Sequence, residues 1–465
     1  MMDPLSLKQI AEFAHGTLTA SKADQRVSKI STDSRTLGPG DFFVPLRGEN
    51  FDGHRFVEQA AERGALGAMV EEGWKGATPK SFALIRVADT LIGYQTLAAN
   101  YRNSLPLKVL AITGSNGKTS TKDFVAATLA RKFRVTKTEG NFNNHVGLPQ
   151  TMLAASADDE FAVWEIGMNH PGEIAALAKL AAPNAAIITN VGLAHIEFMG
   201  TREAIALEKG ALAEAIDPSG TVILNADDPF SAGIAERTRA KIILAGVENG
   251  SVRATSVSQS ATGSEFTILE GAHRCRAQLP VPGIHMVQNA MLAVAAGRAF
   301  GLSLEECAAG LASTPLTKAR LQIKAINGIQ FIDDSYNANP DSMKAALRTL
   351  IELDADGRRI AVLGEMGELG NESDRGHREV GEEAAALGVD ELIAVGATGA
   401  GIARAAEKAG LEKSRSVASP EEAAELLAET VSPGDLILVK GSRSARMERV
   451  LEVFAKLQST AEARP

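Results

Sequence analysis

The stretch "AITGSNGKTSTKDFV" contains side chains of the types that bind a nucleotide. Lys118 supplies a cation and Thr119 a hydroxyl directly after a glycine-bounded loop. In phosphate-binding loops the lysine contacts the outer phosphates and the hydroxyl contacts a magnesium ion. We therefore predict a site for ATP and Mg²⁺ here. Its expected nucleotide contacts are Gly114, Ser115, Asn116, Gly117, Lys118, Thr119 and Ser120.

The segments around this loop are those that a phosphate site requires. An apolar run at residues 109–112 precedes it as a predicted strand, and Val125, Leu129 and Phe133 follow at helical spacing. A strand that leads into a helix directs backbone N–H groups and the positive end of the helix dipole at an anion. The glycines are closer together than the usual phosphate-loop pattern requires, so an ordinary glycine-rich turn is the alternative.

Two further polar residues follow predicted strands. Glu165 ends the apolar run "FAVW", where a carboxylate could hold the magnesium ion that Thr119 touches. His195 follows the strand "AAIITN" and could reach a second metal ion or the transferred phosphate. The alternatives are a solvated acid and a structural histidine. Because parallel strands present their carboxyl ends at one edge, both residues are expected near the phosphate loop.

Lys209 is an unusual residue on a predicted apolar helix face. In "TREAIALEKGALAEAID" it shares helical spacing with Ile205, Leu212 and Ile216. Such a lysine could lay its stem on the core and keep its ammonium in water. Alternatively, burial lowers its pKa and leaves a neutral amine that takes up carbon dioxide, forming a carbamate with the ligand properties of a carboxylate.

The loop "KTEGNFNNHVGLP" concentrates neutral hydrogen-bonding groups between glycines. Amides and hydroxyls suit a polyhydroxylated or peptidic ligand better than a metal ion. An asparagine-rich turn is the alternative. The candidate substrate contacts in this loop are Thr138, Asn141, Asn143 and Asn144.

The composition is that of an ordinary globular protein of 465 residues, 45% of them hydrophobic. Cys275 and Cys307 give neither a disulfide framework nor metal-ligand spacing, which favours a reducing compartment. The net charge of -9 argues against a nucleic-acid partner, since phosphate affinity needs clustered Lys and Arg. The sequence has neither a signal-peptide pattern nor a run of about 18 apolar residues. We expect a cytoplasmic monomer that does not engage a membrane.

The apolar runs divide the chain into three α/β segments. The first contains "DFFVPL", "ALGAMV" and "FALIRV", the second the phosphate loop, "FAVWEIG", "AAIITNVG" and "TVILNADD". The third contains "IQFIDDSY", "RIAVLGEMG", "DELIAVGATG" and "GDLILVKGSR". Strands that alternate with helices predict mostly parallel sheets, the third doubly wound. The turn "GEMGELG" has the wrong spacing for a dinucleotide site and carries two glutamates where a pyrophosphate needs neutral backbone.

The chain resembles the Mur ligase family in a series of motifs: "TGSNGKTS", "GNFNNHVGLP", "EIGMNHPGEI", "TNVGLAHIEFMG", "DDSYNANPDSM", "GEMGELG" and "VKGSRSARME". That family has the same shortened phosphate loop. The resemblance implies an ATP-dependent amide-bond-forming ligase of peptidoglycan synthesis. Its expected substrates are UDP-MurNAc-tripeptide and D-alanyl-D-alanine. ATP would phosphorylate the tripeptide carboxylate, and the dipeptide amine would displace phosphate from the acyl phosphate.

The resemblance also implies three domains. Residues 1–105 would bind the UDP-sugar. Residues 106–316 would form a P-loop ATPase-like parallel-sheet domain. Residues 317–465 would form a Rossmann-like domain that closes on ATP and binds the dipeptide.

The resemblance assigns catalytic roles by motif position. Arg320 in "TKARLQ" matches an arginine that reaches the γ-phosphate, and His195 matches a histidine near a second metal ion. Lys209 matches a carbamylated lysine of related ligases. The catalytic set implied is Lys118, Glu165, His195, Lys209 and Arg320. The metal ligands implied are Thr119, Glu165, His195 and Lys209 as its carbamate.

Further ligand contacts also rest on the resemblance. Asn289 matches an asparagine beside the adenine, and Asp334 an acid at the ribose or hinge. The family commonly has His-Asn where this chain has His285-Met286, so a polar contact near the nucleotide is lost or supplied elsewhere. The implied UDP contacts are Ser34 and Arg35. The implied dipeptide contacts are Tyr336, Asn337 and Asn339.

Three other functions fit parts of the pattern. A tripeptide-forming Mur ligase should carry an Asp-Asn-Pro-Arg motif in its third domain, which this sequence lacks. Folylpolyglutamate synthase lacks a comparable uridine-binding first domain. A nucleotide-gated switch would hydrolyse ATP without an acceptor, whereas a ligase releases phosphate only with both substrates present.

Overall fold

The structure is a computed structural model that describes residues 2–19, 23–79, 81–315 and 317–462. Within these ranges the chain forms three main β-sheets, each flanked by helices, which confirms the predicted α/β class. The three sheets follow one another along the chain in the predicted order. The boundaries between domains stay a prediction, and Leu316, the last residue of the expected central domain, lies outside the described residues.

The first segment is small and contains mostly short strands. Its main sheet has the order β2-β9-β8-β5-β4, parallel except for the β2–β9 pair. The strands are β1 (Leu5–Ser6), β2 (Thr17–Thr19), β3 (Arg26–Val27), β4 (Ile30–Ser31), β5 (Phe42–Phe43), β6 (Arg47–Gly48), β7 (Phe51–Asp52), β8 (Gly67–Glu71) and β9 (Ala83–Val87). The helices are α1 (Leu7–Phe13), α2 (Val57–Glu62) and α3 (Thr90–Ser104).

The central segment contains the phosphate loop in a larger sheet of order β11-β12-β10-β13-β14-β15-β16-β17-β18. The strands are β10 (Lys108–Thr113), β11 (Val135–Lys137), β12 (Phe161–Glu165), β13 (Ala185–Ile188), β14 (Thr221–Asn225), β15 (Lys241–Gly246), β16 (Val252–Ser260), β17 (Gly263–Glu270) and β18 (His273–Leu279). The helices are α4 (Lys118–Leu129), α5 (Gly147–Leu153), α6 (Glu173–Ala181), α7 (Ile196–Met199), α8 (Arg202–Glu214), α9 (Ser231–Ala235), α10 (Ile284–Ala299) and α11 (Leu304–Ala312).

The third segment is doubly wound, with the strand order β19-β20-β24-β21-β22-β23. Its strands are β19 (Gln322–Ile326), β20 (Ile329–Asp334), β21 (Arg359–Gly364), β22 (Glu391–Val395), β23 (Ser414–Val417) and β24 (Leu436–Lys440). Its helices are α12 (Pro340–Glu352), α13 (Ser373–Ala386), α14 (Ala400–Lys408), α15 (Pro420–Thr430) and α16 (Glu448–Glu462). The edge strand β19 is antiparallel and the other pairs are parallel.

The central sheet differs from the expectation at one end. From β11 to β16 it is parallel, as predicted, but β16, β17 and β18 extend it as an antiparallel meander. The helix after the phosphate loop ends at Leu129, so Phe133 packs half-buried from the following turn. No helix in the described part of the chain is long and apolar enough to cross a membrane.

The register of the central strands brings the predicted chemistry to one edge. Ile112 in β10 pairs with Glu165 in β12, and Thr113 pairs with Ile188 in β13. The phosphate loop, Glu165 and the chain that leads to His195 therefore leave the sheet side by side. This is the carboxyl edge at which open parallel sheets bind ligands.

The amino edge of the third sheet is held by a buried ionic bridge. The Arg358 guanidinium donates to Glu391 at 2.9 Å and to Asp435 at 2.7 Å. Both carboxylates are only 2% exposed. Glu391 begins β22 and Asp435 directly precedes β24, the two strands on either side of β21. Because Arg358 directly precedes β21, it joins the starts of all three strands through charge as well as through the sheet.

We expect Arg358→Met to lower the free energy of unfolding by about 3 kcal/mol, because it leaves two buried carboxylates without their shared cation. Arg348→Met is the control, since Arg348 is 56% exposed and pairs with Glu383 at the surface. The control should cost less than about 1 kcal/mol. Urea unfolding followed by circular dichroism measures both, and equal losses would contradict the structural role of the bridge.

Candidate nucleotide and ligation site

A cavity of about 960 Å³ lies between the carboxyl edge of the central sheet and the third segment. It brings together most of the predicted site residues. Those lining it are Ser115, Asn116, Gly117, Lys118, Thr119, Ser120, Asn141, Asn143, Asn144, Glu165, His195, Asn289, Arg320, Asp334, Tyr336, Asn337 and Asn339. Gly114, Thr138, Lys209, Ser34 and Arg35 are not among its lining residues.

The phosphate loop depends on its two glycines. Gly114 has a φ of +152° and Gly117 one of +78°, and a Cβ at either position would overlap a neighbouring side chain. These neighbours are Thr189 for Gly114 and Asn289 for Gly117. Asn289 thus packs directly on the loop that leads into α4. A side chain at either position would therefore strain the loop as well as clash.

Lys118 lies at the first position of α4, as a phosphate-contacting lysine should. Its ammonium donates to the loop carbonyls of Gly114 at 2.7 Å and Ser115 at 3.4 Å. Burial lowers the pKa of Lys118, Glu165 opposes this shift, and Arg320 adds to it. The lysine therefore lies in a low-dielectric position beside a second cation, where a bound anion would stabilise its charge.

Thr119 and Glu165 form the pair that the sequence predicts for a magnesium site. The threonine hydroxyl donates to Glu165 Oε2 at 3.0 Å, and Asn143 Nδ2 donates to Oε1 at 2.8 Å. Thr138 is fully buried, and its hydroxyl accepts the backbone N–H of Glu165 at 2.9 Å. Thr138 and Asn143 therefore fix Glu165 in this structure.

The oxygen donors at this position fit a magnesium ion. Mg²⁺ is usually held by one or two protein oxygens, with water and substrate phosphates completing its coordination. The Thr119 hydroxyl and the Glu165 carboxylate would supply such a pair beside the phosphate loop. Among the described residues no group of three or more His, Cys, Asp or Glu side chains is arranged to hold a metal ion.

Arg320 reaches the phosphate loop from the connection to the third segment. Its Nη2 lies 3.4 Å from the Thr119 hydroxyl, and its guanidinium carbon lies 4.2 Å from the centre of the Tyr336 ring. Its Nε is buried and makes no hydrogen bond to the described residues. The tyrosine ring supports the cation from one side. The guanidinium therefore retains donor capacity next to the predicted phosphate position.

His195 lies at the cavity wall and makes a contact that the sequence did not predict. Its Nδ1 is 2.6 Å from Glu368 Oε2 across the segment interface, although the N–H direction is not aligned for a hydrogen bond. The close contact with His195 is the main cause that lowers the pKa of Glu368. His195 has a left-handed backbone with φ of +64°, which turns the chain into α7.

Lys209 is 1% exposed, so its ammonium does not extend into bulk water. Burial, reinforced by the Lys118 ammonium, lowers the pKa of Lys209 well below its ordinary value, and Glu208 only opposes this. Ile205 and Leu212 share the buried face of α8, and Ile216 is buried just beyond the helix end. The snorkelling alternative thus does not describe this lysine.

The third segment contributes a second buried ion pair. Asp334 at the end of β20 lies 2.5 Å from the ammonium of Lys440 at the end of β24, because the two residues pair in register. Across the cavity wall, burial lowers the pKa of His285 to about 4. His285 is therefore neutral near pH 7, and its Nδ1 has no partner among the described residues.

Several predicted contacts have their amides engaged within the protein. Asn339 caps α12 and donates to Asn116 Oδ1 at 2.7 Å, which joins the third segment to the phosphate loop. Asn144 Oδ1 accepts two N–H groups at the start of α5. Asn337 Oδ1 accepts the N–H of Ala338 at 2.9 Å. The carbonyl of Asn141 accepts the N–H of Asn143, and the Asn141 side chain is exposed at the rim.

The two predicted uridine contacts lie in the first segment. Ser34 is nearly buried, whereas the Arg35 side chain is 85% exposed and donates from Nε to Asp33 Oδ1 and from Nη2 to Asp33 Oδ2. These hydrogen bonds lower the pKa of Asp33 to about 2. Nothing in the described chain joins these residues to the main cavity.

Sequence reasoning missed the residues that join the segments. Asp341 accepts the backbone N–H of Leu193 at 2.9 Å, and Glu368 and Lys440 line the cavity beside the predicted residues. Both Asp341 and Glu368 stand in motifs that the resemblance covers, "NANPDSM" and "GEMGELG". The location of two glutamates at a strand end could have indicated a polar role for Glu368.

Three segments of the chain match descriptions of known families. Residues 26–80 match "Mur ligase family, catalytic domain", residues 112–297 "Mur ligase middle domain", and residues 319–443 "Mur ligase, glutamate ligase domain". A Bacillus subtilis (strain 168) protein named UDP-N-acetylmuramoyl-tripeptide--D-alanyl-D-alanine ligase is 41% identical over 452 residues, which cover 96% of this chain and 97% of that protein.

Solved structures agree along the whole chain. A crystal structure of MurF from Acinetobacter baumannii has a TM-score of 0.90 at 34% identity and covers 98% of this chain and 99% of its own. MurF ligase from Thermotoga maritima, in complex with ADP, has a TM-score of 0.82 at 28% identity and covers 93% and 98%. With a fold, a cavity and a full-length identity of this kind, the chain belongs to the Mur ligase family.

Proposed function

We propose that this protein ligates D-alanyl-D-alanine to UDP-N-acetylmuramoyl-tripeptide with cleavage of ATP to ADP and phosphate, giving the pentapeptide precursor of peptidoglycan. The observation that carries the proposal is the convergence of Lys118, Arg320 and the Thr119–Glu165 pair at one end of a single cavity. The full-length relatives bear the name of this activity, and one related structure holds ADP.

The arrangement suits phosphoryl transfer to a carboxylate. Lys118 and Arg320 would neutralise the γ-phosphate as it moves to the tripeptide carboxylate, and the closed cavity would exclude water from the acyl phosphate. The dipeptide amine would then attack the carbonyl carbon, and phosphate would leave with the C–O electron pair. A magnesium ion held by Thr119 and Glu165 would supply further charge neutralisation.

Lys209 would serve this site as a carbamate. A neutral amine is needed to take up carbon dioxide, and burial beside Lys118 favours that neutral form. The carbamate would replace a cation that repels Lys118 with an anion that pairs with it. Its oxygen atoms, together with a nitrogen of His195, would be ligands for a second magnesium ion. His195 would leave its contact with Glu368 to do so.

The remaining assignments complete the proposal. Residues 1–105 would bind the UDP-sugar through Ser34 and Arg35, residues 106–316 would bind ATP, and residues 317–465 would bind the dipeptide. Asn289 would face the adenine and Asp334 the ribose or hinge. The substrate-facing groups would be Asn141, Asn143, Asn144, Tyr336, Asn337 and Asn339, with Thr138 acting through Glu165. The protein would work as a cytoplasmic monomer.

The decisive test of this function is phosphate release with each substrate omitted in turn. We expect release only when ATP, the UDP-muramoyl tripeptide and D-alanyl-D-alanine are all present, because an acyl phosphate that no amine attacks is retained in the cavity. A coupled phosphate assay measures this. Sustained release with ATP alone would instead identify a nucleotide-gated switch.

Lys118→Ala should lower kcat at least about 100-fold, the scale of losing one preorganised donor to a charged transition state. Its Tm should stay near that of the wild type, since the lysine bonds only to its own loop. Lys132→Ala removes an exposed lysine beyond the same helix and should leave the rate unchanged. Comparable rates for wild type and Lys118→Ala would place the ATP site elsewhere.

Lys209→Ala should be folded and nearly inactive, and millimolar formate or acetate should restore part of its activity. The small carboxylate would fill the vacated space and replace the carbamate. Lys209→Met is the matched variant, because it keeps the side-chain volume and should be inactive with or without formate. Steady-state ligation rates across a formate titration measure the difference, and a Lys209→Ala enzyme that formate does not activate would contradict the carbamate.

A further inference from the structure

The connection between the central and third segments has an unusual backbone on both sides of Arg320. Helix α11 ends at Ala312 and β19 begins at Gln322, so Arg320 lies in the connection between them, two residues before β19. Ala319 has φ of +59° and Leu321 has φ of +52°. Residues with a Cβ adopt this left-handed region at a cost, and they keep it where surrounding contacts impose it.

The contact that fixes this stretch comes from the phosphate-loop helix. Asp123 on α4 accepts two hydrogen bonds from Thr317 through one oxygen, from the hydroxyl at 2.7 Å and from the backbone N–H at 3.2 Å. Both bonds end on a charged acceptor, which makes them stronger than bonds between neutral groups. Thr317 is thereby fastened to α4 three residues before Arg320.

The carboxylate that holds Thr317 is itself held rigidly. Asp123 is 1% exposed, and its second oxygen lies 2.7 Å from the ammonium of Lys137 and 3.5 Å from that of Lys122. Lys122 in turn donates to the carbonyl of Thr138 at 2.7 Å. A buried carboxylate with both oxygens engaged cannot turn away from the connection without leaving a cation unpaired.

Helix α4 joins this anchor to the nucleotide site. Lys118 and Thr119 form its first residues, and Asp123 lies on the same helix. Helix α4 begins at the phosphate loop and also binds the connection. Because the helix is rigid, it sets the distance between the loop and Arg320. In the structure, Arg320 Nη2 lies 3.4 Å from the Thr119 hydroxyl, and Arg320 Nε has no hydrogen-bond partner among the described residues.

We infer that Asp123 and Thr317 are positioning residues for the phosphoryl transfer, which clamp the interdomain connection so that Arg320 meets the transferring phosphate. This inference rests on the proposed function. Neither residue touches the reacting atoms. Their effect passes through the placement of Arg320, so it should appear in the rate of the chemical step rather than in the binding of ATP.

The first experiment compares Thr317→Val with Thr317→Ser. Valine keeps the branched shape and removes the hydroxyl, whereas serine keeps the hydroxyl that Asp123 accepts. We expect Thr317→Val to lower kcat about 10-fold, the scale of losing a hydrogen bond to a charged group, with the KM for ATP within about 2-fold. Thr317→Ser should keep most of the wild-type kcat.

Thr314→Val is the matched control in the same connection. The Thr314 hydroxyl donates to the carbonyl of Gly310 in the helix that precedes it rather than to Asp123, so its loss should leave kcat unchanged. A merely structural role for Thr317 would lower Tm while kcat and KM stayed at wild-type values. That result, or equal losses in the valine and serine variants, would overturn the inference.

A double-mutant cycle tests whether the effect passes through Arg320. In an Arg320→Ala background, Thr317→Val should cause no further loss, measured by product formation in a single turnover with excess enzyme. The same 10-fold loss in both backgrounds would show that Thr317 acts by another route. Failure of the proposed function is separate, because it would appear as absent ligation by the wild type.

Discussion

Positive charge gathered at and beside the phosphate loop is the constraint on which the rest of this structure depends. Lys118 and Arg320 line the cavity, and Lys209 is buried beside Lys118. Burial is the main cause that lowers the pKa of both lysines, with Arg320 adding to the shift of Lys118 and Lys118 adding to that of Lys209. Isolated buried cations are costly, so a stable protein pairs them or reserves them for an anionic ligand. Glu165 and Glu368 oppose the shift of the Lys118 pKa, and Glu208 opposes that of Lys209, yet burial still lowers both pKa values. In the proposed function the triphosphate of ATP would supply negative charge to this group, and its γ-phosphate would be the group on which the cations act.

The three sheets can be understood as the means of bringing these charges together. The central sheet places the phosphate loop and Glu165 on neighbouring strand ends, while the third segment supplies Arg320. Apolar side chains of all three segments pack in one continuous core, and polar contacts between the central and third segments lie beside it: His195 with Glu368, Asn116 with Asn339, and the Leu193 N–H with Asp341.

Much of this architecture follows from the sequence because it depends on local pattern. Buried strands such as Phe161–Glu165 are continuous apolar runs, and the glycines of the phosphate loop mark a turn that few other residues can form. The antiparallel strands β16 to β18 were missed because they are rich in polar and charged residues and their apolar alternation is weak. Thr138 was expected to face a ligand, but its hydroxyl turns inward to the Glu165 backbone.

The pairs that couple the segments could not be predicted from local pattern. Glu368 lies far from His195 in sequence, and Asp123 lies 194 residues from Thr317. A motif shows that a polar residue is present but not which distant group it meets. The burial of Lys209 could not be predicted from the sequence either. Its helical spacing fits both a side chain that reaches water and an enclosed one, and the packing of α8 shows that it is enclosed.

The central claim is that the buried cations direct the γ-phosphate of ATP onto a carboxylate. Isotope transfer tests it most directly: the tripeptide carboxylate is labelled with ¹⁸O, ligation is run to completion, and the released inorganic phosphate is analysed by mass spectrometry. Attack of the carboxylate oxygen on phosphorus predicts that each phosphate carries one oxygen from the tripeptide. Phosphate without ¹⁸O would show that water had received the phosphoryl group and would contradict this account.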